Sequence, residues 1–238
     1  MEQMERNSQS SIRQRLWRIR AKHVILATGA IERPLVFAGN DIPGVMLCSA
    51  ALEFYKLYGV SPGDRVVVLT NNDTAYSSVI ELFNAGISVP LVIDVREKSD
   101  GNLPLKAKKL GIRVEFSKAI SKVIGKKKVK AVELCSVVGE GAVLETIICD
   151  SVLMSGGWTS TLNLWSHCGG KIKWDSKLNT LVPDESFPSI NEFGRSFITV
   201  LGSADGKFWP RDLFANIEKK LNILYSELNL KKTKTIRY

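Results

Sequence analysis

With 238 residues the chain exceeds one average domain of roughly 150 residues and falls short of two. Its 45% hydrophobic and 24% charged residues are those of a folded globular protein and exclude wholesale disorder. The formal net charge of +9 first points to nucleic acid or an acidic membrane surface, yet it is local: between Pro104 and Lys130 ten basic residues accompany one acidic residue, Glu115, and the rest of the chain sums to zero. No stretch reaches the roughly 20 apolar residues of a membrane helix, and Met1–Arg6 is polar without an apolar signal core, so a cytoplasmic protein is expected. Cys48, Cys135, Cys149 and Cys168 form no C-x-x-C pair, which fits a reducing compartment and excludes a disulfide-reductase mechanism. With His23 and His167 the only histidines, no His/Cys cluster for zinc exists. His167-Cys168 is no catalytic pair either, because neighbours on a helix point apart.

In chain order, His23–Ala27 is a short apolar run ending at Thr28-Gly29-Ala30, the pattern of a buried parallel strand closed by a tight turn. Pro43-Gly44 marks a turn, and a helix over Ser49–Tyr58 ends at Gly59, a natural C-cap. Arg65–Leu69 reads as a strand, Thr74–Ala85 as a helix closed by Gly86, and Ser88–Ile93 as a strand ending at Asp94. A helix over Leu103–Leu110, capped by Gly111, and a strand over Ile112–Phe116 continue the alternation. Such alternation predicts a parallel sheet covered on both faces.

The rhythm changes after Lys118. Ser121–Ile124, Val129–Ser136 and Val143–Ile148 are strands of an antiparallel meander, separated by Gly125-Lys-Lys-Lys and Gly139-Glu-Gly-Ala. Asp150–Met154 is again apolar and ends in Ser155-Gly156-Gly157; Phe197–Leu201 precedes Gly202-Ser203-Ala204-Asp205-Gly206. A last helix spans about Pro210–Leu228, followed by a Lys-rich end expected to be solvated. The fold class is therefore α/β: a Rossmann-like parallel-sheet module with a meander, residues 61–148, inserted in an incomplete FAD/NAD(P)-binding host formed by residues 1–60 and 149–238.

A dinucleotide fingerprint, G-x-G-x-x-G, uses glycines for a tight turn and for close approach of a pyrophosphate to a helix N-terminus. Gly139-Glu140-Gly141 has no helix after it and is a hairpin turn. Topology requires the fingerprint after Arg65–Leu69, where the chain reads Thr70-Asn71-Asn72-Asp73-Thr74-Ala75. Thr70 and Asn72 replace the two pyrophosphate glycines, and their side chains obstruct the approach that glycine permits. Asp94 stands where a ribose-binding acid belongs, with Arg96 close by. This module reads as having a weakened or lost nucleotide site, a working one being the alternative. The host loops, Thr28-Gly29 and Gly202–Gly206, follow apolar strands where open α/β sheets bind ligands, and Asp205 precedes Gly206 at the expected entry to the last helix.

H-V-I-L-A-T-G-A-I-E-R-P-L-V-F-A-G-N-D-I-P-G-V (23–45) resembles the A-T-G segment of flavoproteins with two dinucleotide-binding domains, and more narrowly the alpha subunit of heterotetrameric sarcosine oxidase. R-V-V-V-L-T-N-N-D-T-A-Y (65–76) and C-D-S-V-L-M-S-G-G-W (149–158) carry the same resemblance, which extends from about Arg15 to about Phe214. It implies an oxidoreductase complex that demethylates sarcosine with O2 and passes the one-carbon unit to tetrahydrofolate. It also implies an alpha chain holding NAD, with FAD admissible and the flavins mainly on a beta-type partner subunit and its interface. Thr28 and Gly29 then match the turn near the dinucleotide, and Gly202, Ser203, Ala204 and Asp205 the closing loop over its pyrophosphate. Alpha subunits also carry an N-terminal glycine fingerprint and a folate-binding half, neither found here, so the chain is expected to be an internal portion, inactive alone and retaining dinucleotide weakly or not at all.

Two alternatives stand beside this reading. One is a general FAD/NAD(P)H-dependent oxidoreductase, against which Thr70 and Asn72 count. The other is a non-catalytic or nucleic-acid-binding module using Lys106–Lys130, where Phe116 is the sole aromatic and no stacking platform accompanies the lysines. Glu32, Arg33 and Asp41 are charges of the first loop, and Trp158, Trp165, Trp174 and Trp209 are expected to pack in the core or at an interface. No catalytic residue is assigned.

Overall fold

A computed structural model describes residues 16–228. The polar residues up to Arg15 and the Lys-rich end from Lys231 lie outside the described residues. The elements run β1 (Val24–Leu26), β2 (Ala30–Glu32), β3 (Val45–Leu47), α1 (Cys48–Tyr58), β4 (Arg65–Thr70), α2 (Thr74–Asn84), β5 (Ser88–Asp94), α3 (Asn102–Lys109), β6 (Val114–Phe116) and the meander β7 (Lys118–Gly125), β8 (Val129–Ser136) and β9 (Val143–Ile148). They continue with β10 (Ser151–Ser155), β11 (Trp158–Ser160), α4 (Asn163–His167), β12 (Ile172–Asp175), β13 (Thr180–Pro183), β14 (Ile198–Val200), a 3-10 turn at Gly202–Asp205, and α5 (Pro210–Glu227).

The centre is a five-stranded parallel sheet in the order β3-β10-β4-β5-β6. Alternation along β4 divides its apolar side chains between two layers. Val66 and Val68 pack with Ala75, Tyr76 and Val79 of α2 and Ala107 of α3. Val67 and Leu69 pack with Leu91 and Ile93 of β5 and with Val123, Val132 and Leu134 of the meander. The sheet is therefore covered on both faces as expected, with helices on one and an antiparallel sheet of order β7-β8-β9 on the other. Such double burial explains the unbroken Val/Leu/Ile runs of β4, β5 and β10.

The module is wider than the sequence indicated. Asp150–Met154 was expected to resume the host, and residues 61–148 to form the insertion. Instead β10 lies between β3 and β4, and all five of its residues are buried. An apolar run looks the same in either sheet, and only the pairing assigns it. The sheet thus takes strands from both sides of residues 61–148. The two passages of chain between module and host run side by side as an antiparallel ribbon, with Trp158 opposite Glu32 and Ser160 opposite Ala30.

The host part contains the parallel pair β1–β14, with Val24 opposite Ile198 and Leu26 opposite Val200. Leu26, Ile198 and Val200 pack with Leu162, Trp165 and Ala204 in a separate small core. His167 and Cys168 stand at the end of α4, where the sequence placed a helix end. Gly139 and Gly141 lie in the turn between β8 and β9, at φ +127 and +75.

Two outcomes check this arrangement. Leu153→Ala, at a fully buried position of β10, should lower stability by about 2–5 kcal/mol in urea unfolding, the usual cost of a buried leucine truncated to alanine. Cys48, Cys135 and Cys149 are buried while Cys168 is exposed, and burial pushes the Cys149 thiol up to about 12. One thiol should therefore react with an aromatic disulfide reagent under native conditions, and all four after denaturation.

Candidate functional site: two strand-end loops

The host turns expected to flank a dinucleotide come together at the carboxyl ends of β1 and β14. Leu201 N–H donates to the Leu26 carbonyl at 2.9 Å, keeping the two strands paired to their ends. Gly29 adopts φ +75, a left-handed conformation that favours glycine, and the nearest atom to a Cβ added there is Ser203 Oγ at 3.9 Å. The Thr28 hydroxyl donates to the Thr161 carbonyl at 2.6 Å, and Thr161 N–H donates to the Gly29 carbonyl at 3.0 Å. Ser160 Oγ donates to the Ser203 carbonyl at 3.1 Å. Residues 160–161, which the sequence did not single out, thus hold both loops in register.

Asp205 departs from its expected role. Gly202–Asp205 is a 3-10 turn closed by Gly206 at φ 72, and the last helix begins only at Pro210. Asp205 therefore does not open that helix. Its Oδ2 lies 2.8 Å from Lys220 Nζ, which also pairs with Glu185 at 2.8 Å and donates to the Val200 carbonyl at 3.2 Å. Burial alone would lower the Lys220 pKa; hydrogen bonds to Asp205 and Glu185 outweigh it and raise the pKa. Ala204 is fully buried and supports the turn from below.

The second loop, between β4 and α2, has the topology of a dinucleotide site, but its own side chains fill it. Thr70 Oγ1 accepts from Asn72 N–H at 3.1 Å and donates to the Asn72 carbonyl at 3.0 Å. Asn72 Oδ1 accepts from Thr74 N–H at 3.1 Å and from the Thr74 hydroxyl. That oxygen occupies the first amide of α2, where a phosphate would bind in a working fingerprint. Asn72 Nδ2 donates to Ser155 Oγ at 3.0 Å and to the Ser155 carbonyl at 3.2 Å, and Asn71 Nδ2 to the Gly156 carbonyl at 3.3 Å. Trp158 Nε1–H donates to Thr74 Oγ1 at 2.8 Å.

Asp94 ends β5 as expected, yet it is completely buried and both its oxygens are engaged. Oδ2 accepts from Tyr76 Oη at 2.8 Å and from an Arg96 terminal nitrogen at 2.7 Å; Oδ1 accepts from Arg96 Nε at 3.0 Å and Arg96 N–H at 3.1 Å. Arg96 also binds Asp73 Oδ1 at 2.7 Å. Burial, then the Asp94 charge, pushes the Tyr76 phenol up. An acid that binds ribose must offer a free oxygen, and Asp94 offers none to solvent.

The other candidates either hold the fold together or lie on its surface. Glu32, 5% exposed, accepts from Ser49 N–H at 2.8 Å in the first turn of α1, where a carboxylate is favoured. Arg33 donates to the carbonyls of Gly156 at 3.1 Å and Asn179 at 2.7 Å, and Asp41 is exposed. Trp165 is buried and Trp158 half-buried against Phe208, while Trp174 and Trp209 are exposed. Lys108 Nζ lies over the Phe116 ring, 4.8 Å from its centroid, so one face of the sole aromatic of the basic segment is covered. Among the described residues no group of three His, Cys, Asp or Glu could hold a metal ion, and no helix is long and apolar enough to cross a membrane.

No protein-family model matches the sequence. The chain is 36% identical over 186 residues to the sarcosine oxidase subunit alpha of Rhizobium meliloti (strain 1021), covering 78% of this chain and 18% of that protein. It is 37% identical over 179 residues to the sarcosine oxidase subunit alpha of Corynebacterium sp. (strain P-1), covering 72% of this chain and 18% of that one. The chain thus spans about a fifth of the length of these relatives. Among solved structures, thioredoxin reductase of T. acidophilum superposes with a TM-score of 0.67 at 21% identity, covering 87% of this chain and 66% of that one. L-proline dehydrogenase of P. horikoshii gives 0.56 at 23%, covering 90% and 36%. At those identities the superpositions establish a shared Rossmann-like fold. The resemblance carried by segments 23–45, 65–76 and 149–158 is thus matched by alignment across most of the chain, which is homologous to a portion of sarcosine oxidase alpha subunits.

Proposed function

We propose that the chain supplies the dinucleotide-binding scaffold of an alpha-type subunit in a cytoplasmic flavin-dependent amine oxidoreductase complex of the sarcosine oxidase kind. The observation that carries this reading is the convergence of Thr28-Gly29 and Gly202-Ser203 at the ends of two adjoining parallel strands. Ligands bind at such strand ends in open α/β sheets. Left-handed turns at Gly29 and Gly202, φ +75 and +73, open these two loops without side chains of their own. In this reading Thr28, Gly29, Gly202 and Ser203 line the dinucleotide, NAD by family resemblance and FAD by the same geometry; the buried Ala204 supports the closing loop and Asp205 steadies it through Lys220. A dinucleotide there contributes a two-electron redox group or a structural anchor. The chain's own residues bind and orient it.

Sarcosine as substrate, tetrahydrofolate as one-carbon acceptor and a beta-type subunit as flavin-bearing partner belong to the same proposal, supported by the identity to the alpha subunits. The filled loop at Thr70–Thr74 argues against the alternative of hydride delivery from NAD(P)H bound in the module.

Titration of the purified chain with NAD, FAD and ADP by calorimetry tests the reading. Saturable but loose binding is expected, with no nucleotide retained through gel filtration, and Gly29→Val should weaken it by strain and obstruction at the positive-φ turn. A chain that ignores all three nucleotides, or a Gly29→Val variant that binds them equally well, would sink the host-site assignment. Asp94→Ala should leave the affinity unchanged. It should instead cost about 3 kcal/mol of stability in urea unfolding, the low end for breaking a buried pair, because Arg96 is 29% exposed and keeps Asp73.

A further inference from the structure

The loop that fails as a nucleotide site makes contacts that lead to the other site. From Asn72 Nδ2 they pass to Ser155, the last residue of β10, at 3.0 and 3.2 Å. Asn71 and Arg33 then bind the Gly156 carbonyl at 3.3 and 3.1 Å, and Gly156 N–H and Arg33 N–H form a reciprocal pair with the carbonyls of Arg33 and Gly157 at 2.7 and 2.8 Å. Trp158, the next residue, is tied back to α2 through Thr74 Oγ1 and rests against Phe208, ring centroids 6.1 Å apart. Two residues further, Ser160 and Thr161 bind Ser203, Thr28 and Gly29.

We infer that Asn72 is a positioning residue for the host site: its carboxamide fastens the chain leaving the module, and that chain sets the spacing between the Thr28-Gly29 and Gly202-Ser203 loops. The inference rests on the host-site reading above and deepens it. Its physical basis is the two-ended chemistry of the asparagine side chain. The Oδ1 acceptor satisfies the first amide of α2, while the Nδ2 donor reaches Ser155; glycine could do neither, and aspartate only the first. The substitution that closes the module to a pyrophosphate is the same one that bonds it to the exit strand. Thr70 sets the geometry by holding both the N–H and the carbonyl of Asn72. Gly156 and Gly157 leave no latitude beside it: a Cβ at Gly156 would lie 2.8 Å from the Pro34 carbonyl, and Gly157 sits at φ +88. The exit segment is thereby confined from both sides, and the position of Ser160 follows from that of Ser155.

Three variants of the full 238-residue chain separate this role from general stability. Asn72→Asp keeps the acceptor toward Thr74 and loses the donor toward Ser155. Asn72→Gly loses both, and Trp158→Phe removes the indole donor to Thr74. Native-state amide exchange should quicken about five- to tenfold at residues 158–161 in all three, the scale of one lost hydrogen bond, while Thr74 is unaffected in Asn72→Asp and the core amides of β4 and β5 keep their protection. ADP affinity should fall by a similar factor in each, with ADP as the probe of the host loops. Unchanged exchange at 158–161 in Asn72→Asp and Trp158→Phe, or a uniform rise across the whole chain, would overturn the inference. Should the wild-type chain bind no ADP, the host-site reading fails, and exchange at 158–161 still decides whether Asn72 positions the segment.

Discussion

Strand β10 is hydrogen-bonded to β3 on one side and β4 on the other, and all five of its residues are buried. A strand in that position can enter and leave only at its ends, and its carboxyl end, Ser155, emerges beside Thr70. The chain must then return to the host between the β4–α2 loop and the Arg33–Leu35 segment, where a Cβ on Gly156 would collide with backbone carbonyls. Glycine at 156 and 157 follows from this crowding. So does the antiparallel ribbon β2–β11, because the outgoing and incoming chains share one narrow corridor. Central placement of β10 joins the fold of the module to the geometry of the host loops.

At the same corridor the module meets a second constraint. The first turn of a helix presents amides that lack intrahelical partners, and a dinucleotide-binding module leaves them for phosphate. Here Asn72 supplies an oxygen from within, and Asp94, Arg96, Tyr76 and Asp73 form a closed set of charges and hydrogen bonds beside it. Arg96 lies between two carboxylates, so the buried Asp94 charge is matched without any ligand. Internal neutralisation of this kind lets the polar groups of the turn serve the scaffold, because each finds its partner within the chain.

Much of this could be anticipated from residues. Glycine closures at Gly59, Gly86 and Gly111, and the apolar run of β4, define the βαβ rhythm because caps and burial act locally. Thr70 and Asn72 at glycine positions already signalled an altered loop. Assignment of β10 could not be read, since its pattern is identical whether it pairs with β1 or with β4; pairing partners are a long-range property. The ribbon β2–β11 and the hairpin β12–β13 have strands of three and four residues, too short for any periodicity to register. Ser160 and Thr161 escaped for a different reason. They carry common side chains in an ordinary stretch, and only their proximity to Thr28 and Ser203 gives them meaning.

Charge distribution completes the separation of roles between the two parts. The basic segment expected from sequence occupies α3, β6, β7 and the β7–β8 turn, where Lys126, Lys127 and Lys128 are exposed. Some of it is neutralised on the surface, as where Arg113 bridges Glu115 and Glu145 at 3.0 and 2.8 Å. These positions lie on the meander and the far edge of the sheet, β6 being its last strand. The host loops are reached from β10 through the β2–β11 ribbon, away from these positions in the chain. Surface interactions at the half-exposed Arg113 are screened in solution and contribute little to either stability or the site. The positive charge between Pro104 and Lys130 therefore lies on the module's surface, while the candidate site is organised by backbone amides, neutral side chains and the Asp205–Lys220–Glu185 cluster.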